Sequence, residues 1–281
     1  MSKGPSIYRR LGIDVVGAFP AQGPGWNLKV IQLYEMIVVR HGLMLVGPTG
    51  GGKTSNLHVL RDTLTGLKEK GLSSNEFMQK VIIYQLNPKS ITMGQMYGAF
   101  DENTREWQDG IMSTMYRKCS SSTTPDRKWV VFNGPVDAIW IENMNTVLDD
   151  NKKLCLVSGE TIKMSLEQTM MFEVMDLLVA SPATVSRVGI IYMEPEALGN
   201  EVLVISWVER LPKCFTNEMK SKLLLLCEQY LHPGIGFLRT FLKEQVPTVN
   251  NNLVQSLERI LDCYFEPFHE VEGREPMTKT E

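Results

Sequence analysis

The chain has 281 residues, 43% of them hydrophobic and 22% charged, with a formal net charge of −3. Length and composition suit one large domain or two smaller ones with a sizeable core, and the mild acidity, with no basic stripe bearing interleaved aromatics, excludes nucleic acid as the main partner. No apolar run nears the ~18 residues of a membrane span, and the segment Met1–Arg10 lacks the apolar core of a signal peptide, so no membrane association or secretion is expected. The five cysteines (Cys119, Cys155, Cys214, Cys227, Cys263) and four histidines (His41, His58, His232, His269) are scattered, without CxxC or metal-ligand spacing. They read as reduced core thiols of a cytosolic protein and as no metal cluster. No internal repeat is present.

Residues 1–25 contain Gly4-Pro5, Phe19-Pro20 and Gly23-Pro24-Gly25 and read as an irregular lead-in. From Trp26 to Arg40, Val30, Leu33, Tyr34, Ile37 and Val38 recur at helical spacing, a core helix ending near Gly42. Leu43–Val46 is a short buried strand. It runs into Gly47-Pro48-Thr49-Gly50-Gly51-Gly52-Lys53-Thr54, which fits G-x-x-x-x-G-K-[ST] without mismatch, and Leu57, Leu60, Leu64 and Leu67 then recur at helical spacing. Strand, glycine loop and helix form the context in which this motif cradles phosphates. Gly50, Gly51 and Gly52 let backbone N–H groups approach an anion with no Cβ in the way, and the helix N-terminus adds a favourable dipole. Lys53 would reach the β- and γ-phosphates and the Thr54 hydroxyl would complete a Mg²⁺ shell. The alternative is a strand-to-helix turn that binds nothing, and the filled motif in the right context argues against it.

Gly66–Phe77 is polar and loop-like. Val81–Leu86 is a second buried strand closed by Asn87-Pro88. Lys89–Gly110 is irregular, Gly110–Cys119 is helical with Ile111, Met115 and Cys119 on one side, and Ser120–Lys128 is a polar loop. Trp129–Phe132 is the third strand, followed at once by Asn133-Gly134-Pro135. In P-loop ATPases of the AAA+ type an Asp that organises Mg²⁺ and a Glu that polarises the attacking water follow such a strand. Asn133 carries no charge and can act on a metal only through water, and Gly134 offers no base. Asp137, Glu142, Asp149 and Asp150 come next and read as a solvated helix face. Binding without turnover is the reading these residues favour.

Leu154–Val157 and Thr161–Met164 flank Ser158-Gly159-Glu160 as a hairpin, and Met170–Val174 is a fourth strand. Arg187 immediately precedes an apolar strand, Val188–Met193. Helical stretches Val202–Leu211, Met219–Leu231 and Leu253–Phe265 follow, separated by Pro212, Pro233-Gly234 and Pro247. Leu223–Leu226 reads as core. His269–Glu281 is polar, with the composition of a disordered tail.

The runs NPKSITMGQMYGAF, SSTTPDRKWVVFNGPVDAIWIENMNTVLDDNKKLCLVSGE and ASPATVSR resemble the second AAA+ module of an axonemal dynein heavy chain motor ring, densely over residues 26–210 and loosely beyond. The resemblance implies a P-loop α/β domain over 26–195, with a parallel sheet flanked by helices, and a smaller all-α lid over 196–268. It implies ATP (or ADP) and Mg²⁺ as cofactors, with ATP held unhydrolysed as a rigid spacer between domain and lid. Gly134 matches the family pattern and Asn133 departs from it, since the family keeps an Asp there. By the same resemblance Asp176 is the polar sensor near the γ-phosphate, with Glu173 as the neighbouring candidate. Arg187 is an arginine finger reaching a neighbouring, hydrolytic module, unless it is merely paired with a carboxylate at the surface. Arg239 is a candidate second sensor. The implied partners are neighbouring AAA+ modules of the ring, with microtubules reached only through the full motor, in the cytoplasm and ciliary axoneme. No coiled-coil stalk, microtubule-binding tip or linker can be read here, so the chain is not expected to be a motor by itself. Two other functions remain open: an active ATPase using an unrecognised carboxylate, and a ring segment that has lost its nucleotide.

Overall fold

The structure, a computed structural model, describes residues 24–73, 75–212 and 214–269. Most of the expected lead-in and of the expected polar tail therefore lies outside the described residues. The described residues divide into two compact units, one of Asn27–Glu194 and the other of residues 24–26 together with those from Pro195 to His269.

The first unit contains nine strands among the described residues: β1 (Gly42–Val46), β2 (Val81–Leu86), β3 (Gly98–Phe100), β4 (Trp107–Asp109), β5 (Arg127–Asn133), β6 (Lys153–Cys155), β7 (Thr161–Lys163), β8 (Gln168–Val174) and β9 (Gly189–Tyr192). Five of them form a wholly parallel sheet in the order β2-β5-β8-β1-β9. Their apolar character on both faces is what a parallel sheet with two covered faces requires. Met44, Val46, Val130, Phe132, Met170 and Phe172 share one core with Met112, Tyr116, Trp140, Ile141, Val147 and Leu148 from the flanking helices. The alternating residues Leu43, Leu45, Trp129, Val131 and Met171 are equally buried and point to the opposite face. The helix Lys53–Glu69 makes the crossover from β1 to β2 and buries Leu57, Leu60, Leu64 and Leu67.

Lys89–Gly110, which reads as irregular, holds more order than its sequence suggests. Thr92 and Gln95 form a reciprocal capping box that starts the short helix Met93–Tyr97, and β3 pairs antiparallel with β4. The β6–β7 hairpin forms in the register Lys153↔Lys163 to Cys155↔Thr161.

The second unit is helical. The helices Asn200–Arg210, Asn217–Phe241 and Asn250–His269 pack Val204, Trp207, Val208, Phe215 and Val254 with Leu223, Leu224, Leu261 and Phe265. Pro233-Gly234 does not divide two helices as its composition suggests: the helix runs through it unbroken. Proline removes one ladder bond, and the carbonyl it frees on an exposed helix can turn to water. The Leu223–Leu226 run is likewise only half core, because Leu225 and Leu226 are 61% and 40% exposed. All five cysteines are free, and Cys155 and Cys263 are exposed where core thiols are the sequence expectation.

Candidate functional site

The glycine loop leaves the carboxyl end of β1 and enters the Lys53–Glu69 helix through Gly52. Gly50 and Gly52 have left-handed φ values of 87° and 77°, a conformation that costs a residue with a Cβ. Gly47 and Gly51 are required for a different reason: a Cβ at either would lie 2.1 or 2.6 Å from the Met193 carbonyl oxygen. The loop therefore rests directly on backbone at the end of β9. No side chain caps the helix N-terminus, so its first N–H groups face the loop without a built-in acceptor.

Lys53 folds back over the loop and donates from Nζ to the Gly47 and Pro48 carbonyls at 2.6 and 3.0 Å. Burial pulls its pKa down, and the charge of Glu173 opposes the shift. Thr54 Oγ1 donates to Glu173 Oε2. Glu173 is 3% exposed, and its other oxygen, Oε1, is buried with no hydrogen-bond partner. Burial holds this carboxyl above its usual range, against the Thr54 hydrogen bond and the Lys53 charge.

Register explains how these groups meet. β8 lies between β1 and β5, so Glu173 is flanked by Leu45 on one side and Asn133 on the other. The preceding residues, Phe132 and Phe172, stack at 5.1 Å with Trp140 over the opposite face, at 5.8 and 6.0 Å from it. With the aromatics committed to that face, alternation turns Asn133 and Glu173 toward the side of the loop. Gly134 approaches the end of β2: a Cβ there would lie 3.0 Å from Asn87 Oδ1.

Other sequence candidates are placed elsewhere. Asp176 is exposed and accepts from the Leu178 amide at 3.0 Å. A carboxylate two residues past the strand end closes a local turn, so Glu173 and not Asp176 faces Thr54. Arg187 ends the helix Pro182–Arg187; its Nε donates to Asp149 and its Nη1 to the Ala183 carbonyl at 2.9 Å. That is the surface pairing, and it removes Asp149 from the expected solvated face. Asp137 caps the helix Ala138–Glu142 through the Ile139 amide at 2.9 Å. Arg239 is taken up within its own unit by Glu244 at 2.5 Å, Asn250 at 2.9 and 3.0 Å and the Thr248 carbonyl at 2.8 Å. Its guanidinium is engaged at all three nitrogens in tying a loop, which does not suit a second sensor. Sequence reasoning underrated Glu173. The available signal was an acid inside the apolar strand Met170–Val174, at a position that alternation buries.

Comparison with known proteins places the chain in a family. A family model described as "AAA domain (dynein-related subfamily)" matches residues 42–221. Two others, "Hydrolytic ATP binding site of dynein motor region" and "Dynein heavy chain AAA lid domain", match residues 18–54 and 223–281. The chain is 54% identical over 252 residues to dynein axonemal heavy chain 1 of Mus musculus, covering 89% of this chain and 6% of that protein. It is 47% identical over 234 residues to dynein axonemal heavy chain 6 of Homo sapiens, covering 83% and 6%. With human dynein axonemal heavy chain 12 the identity is 59% over 188 residues, 66% of this chain and 6% of the relative. The chain thus spans about 6% of the length of these relatives. Among the described residues, no helix is long and apolar enough to cross a membrane.

Proposed function

The chain belongs to the AAA domain family, dynein-related subfamily, and from that premise we propose that it is an ATP-holding, non-hydrolysing module of an axonemal dynein ring, corresponding to the second module. The observation that carries this is the combination of a complete glycine loop bearing Lys53 and Thr54 with Gly134 where a water-polarising Glu is needed. Lys53 and Thr54 would engage the phosphates, and the uncapped helix start would add N–H donors. When bound, Mg²⁺ would supply charge neutralisation between the phosphate oxygens; hard oxygen donors such as Thr54 Oγ1 and Glu173 suit it. Its partners would be neighbouring AAA+ modules, and its location the ciliary axoneme, where microtubules are reached through the whole motor. An arginine-finger role for Arg187 requires a neighbour that breaks the Asp149 pair, and so depends on ring assembly.

The test is thermal unfolding with and without Mg·ATP, on wild type and Lys53→Ala, with phosphate release followed in parallel. ATP at about a hundred times its Kd should add about 2.7 kcal/mol to wild type and much less to the variant. No stabilisation would mean a ring segment without nucleotide. A second reading, an active ATPase, has Glu173 in its favour as the buried carboxylate beside Thr54. Steady phosphate release that disappears in Glu173→Gln would establish it.

A further inference from the structure

We propose that Glu173, at the end of β8, provides the acidic oxygen on the metal side of this nucleotide site, taking the role that Asn133 at the end of β5 cannot fill. The proposal rests on the nucleotide-holding reading above. In P-loop NTPases Mg²⁺ is held by the loop Ser/Thr hydroxyl and by a strand-end Asp. Here the position after Phe132 is an amide, and the carboxylate in hydrogen-bond contact with the loop hydroxyl is Glu173.

Three observations separate this from a structural carboxylate. Glu173 points to its site from the interior of the sheet, where its strand neighbours Met171 and Phe172 are fully buried. An ionisable side chain at such a position is expensive unless it is matched. Its hydrogen bonding is half complete, since Oε2 meets Thr54 and Oε1 meets nothing; buried carboxylates that serve only the fold are usually satisfied on both oxygens. The acids just past the carboxyl ends of β5 and β8 are already engaged: Asp137 in a helix cap and Asp176 in a turn. A divalent cation would match the unpaired oxygen. Without one, an anionic Glu173 faces the triphosphate and opposes its binding. Magnesium should therefore decide whether Glu173 helps or hinders, a sign reversal that a packing role does not produce.

The experiment is a calorimetric titration of the full chain with ATP, in excess Mg²⁺ and in EDTA, for wild type, Glu173→Gln and Asn133→Ala. Wild type and Asn133→Ala should both bind more tightly with Mg²⁺. Glu173→Gln should lose on the order of 10–100-fold in Mg²⁺, yet bind metal-free ATP at least as well as wild type. Glu173→Met, which fits the apolar strand, is a second variant with the same expected pattern should the amide fail to fold. Retention of the full magnesium gain by a folded Glu173 variant, or its loss in Asn133→Ala alone, overturns the assignment. Wild-type binding that ignores Mg²⁺ overturns this assignment while sparing the nucleotide reading. Failure of wild type to bind in either buffer overturns both.

Discussion

Asn133 and Glu173 face one another across β5 and β8, a neutral amide and a buried carboxylate in the same row of a parallel sheet. β8 separates β5 from β1, so the carboxylate stands nearer to the glycine loop than the amide does. Because the carboxyl ends of parallel strands all open on the same side, residues ending two neighbouring strands can face one site.

That placement has a pH consequence. Burial raises the Glu173 pKa in the folded state above its value of 4.5 in the unfolded chain. Folding therefore favours the protonated form: the stability it contributes is complete below the unfolded pKa and is lost as pH rises through the folded one. Glu173→Gln should stabilise the nucleotide-free protein by ~1–3 kcal/mol at pH 8, with little gain at pH 4. Urea unfolding at the two pH values measures the difference.

Two kinds of glycine should respond in opposite directions. Gly51→Ala would drive a Cβ to 2.6 Å from the Met193 carbonyl oxygen and should destabilise by roughly 1–3 kcal/mol. Gly66 lies inside the Lys53–Glu69 helix, where an added Cβ would meet nothing within 4 Å, so Gly66→Ala should stabilise by ~0.5–1 kcal/mol. Equal effects of the two substitutions on the melting temperature would contradict the loop geometry.

Arg187 and Asp149 are each about a third exposed, so their pair should contribute only ~0.2–1 kcal/mol. A double-mutant cycle with Asp149→Asn and Arg187→Gln should return a coupling of that size, shrinking in high salt. A much larger value would mean that the pair is a structural clamp.

In the helical unit, burial pushes the Glu258 carboxyl up to about 7, with Arg210 and Arg259 opposing and Asp262 adding to the rise. The side chain is 8% exposed and its Oε1 has no partner. Its stabilising contribution should be full below about pH 4.5 and lost as pH rises through about 7. Glu258→Gln should therefore stabilise by ~1–2 kcal/mol at pH 8 and change little at pH 4. A pH-independent gain would show that the carboxyl does not titrate in this range.

The strand–loop–helix from Leu43 to Leu67 was legible in the amino acids because everything that specifies it is local: an apolar run, glycines where a Cβ cannot fit, and leucines at helical spacing. The buried strands, taken singly, and the helical stretches after Pro195 were readable for the same reason, whereas the parallel pairing of those strands was implied only by the family resemblance. Pro233 misled, since a helix whose freed carbonyl can turn to water survives a proline that composition marks as a break. The partner of Thr54 could not be decided locally. Glu173 lies 119 residues away, and only the insertion of β8 between β1 and β5 brings it to the loop. Asp176, three residues further on, is turned away by its own backbone hydrogen bond, and Arg187 is claimed by Asp149 across 38 residues. By itself the sequence determined which groups a nucleotide site has available, since motif and periodicity are properties of neighbours along the chain. Which carboxylate faces the loop depended on strand order and register, which arise from packing between distant segments, and only the tertiary structure decided it.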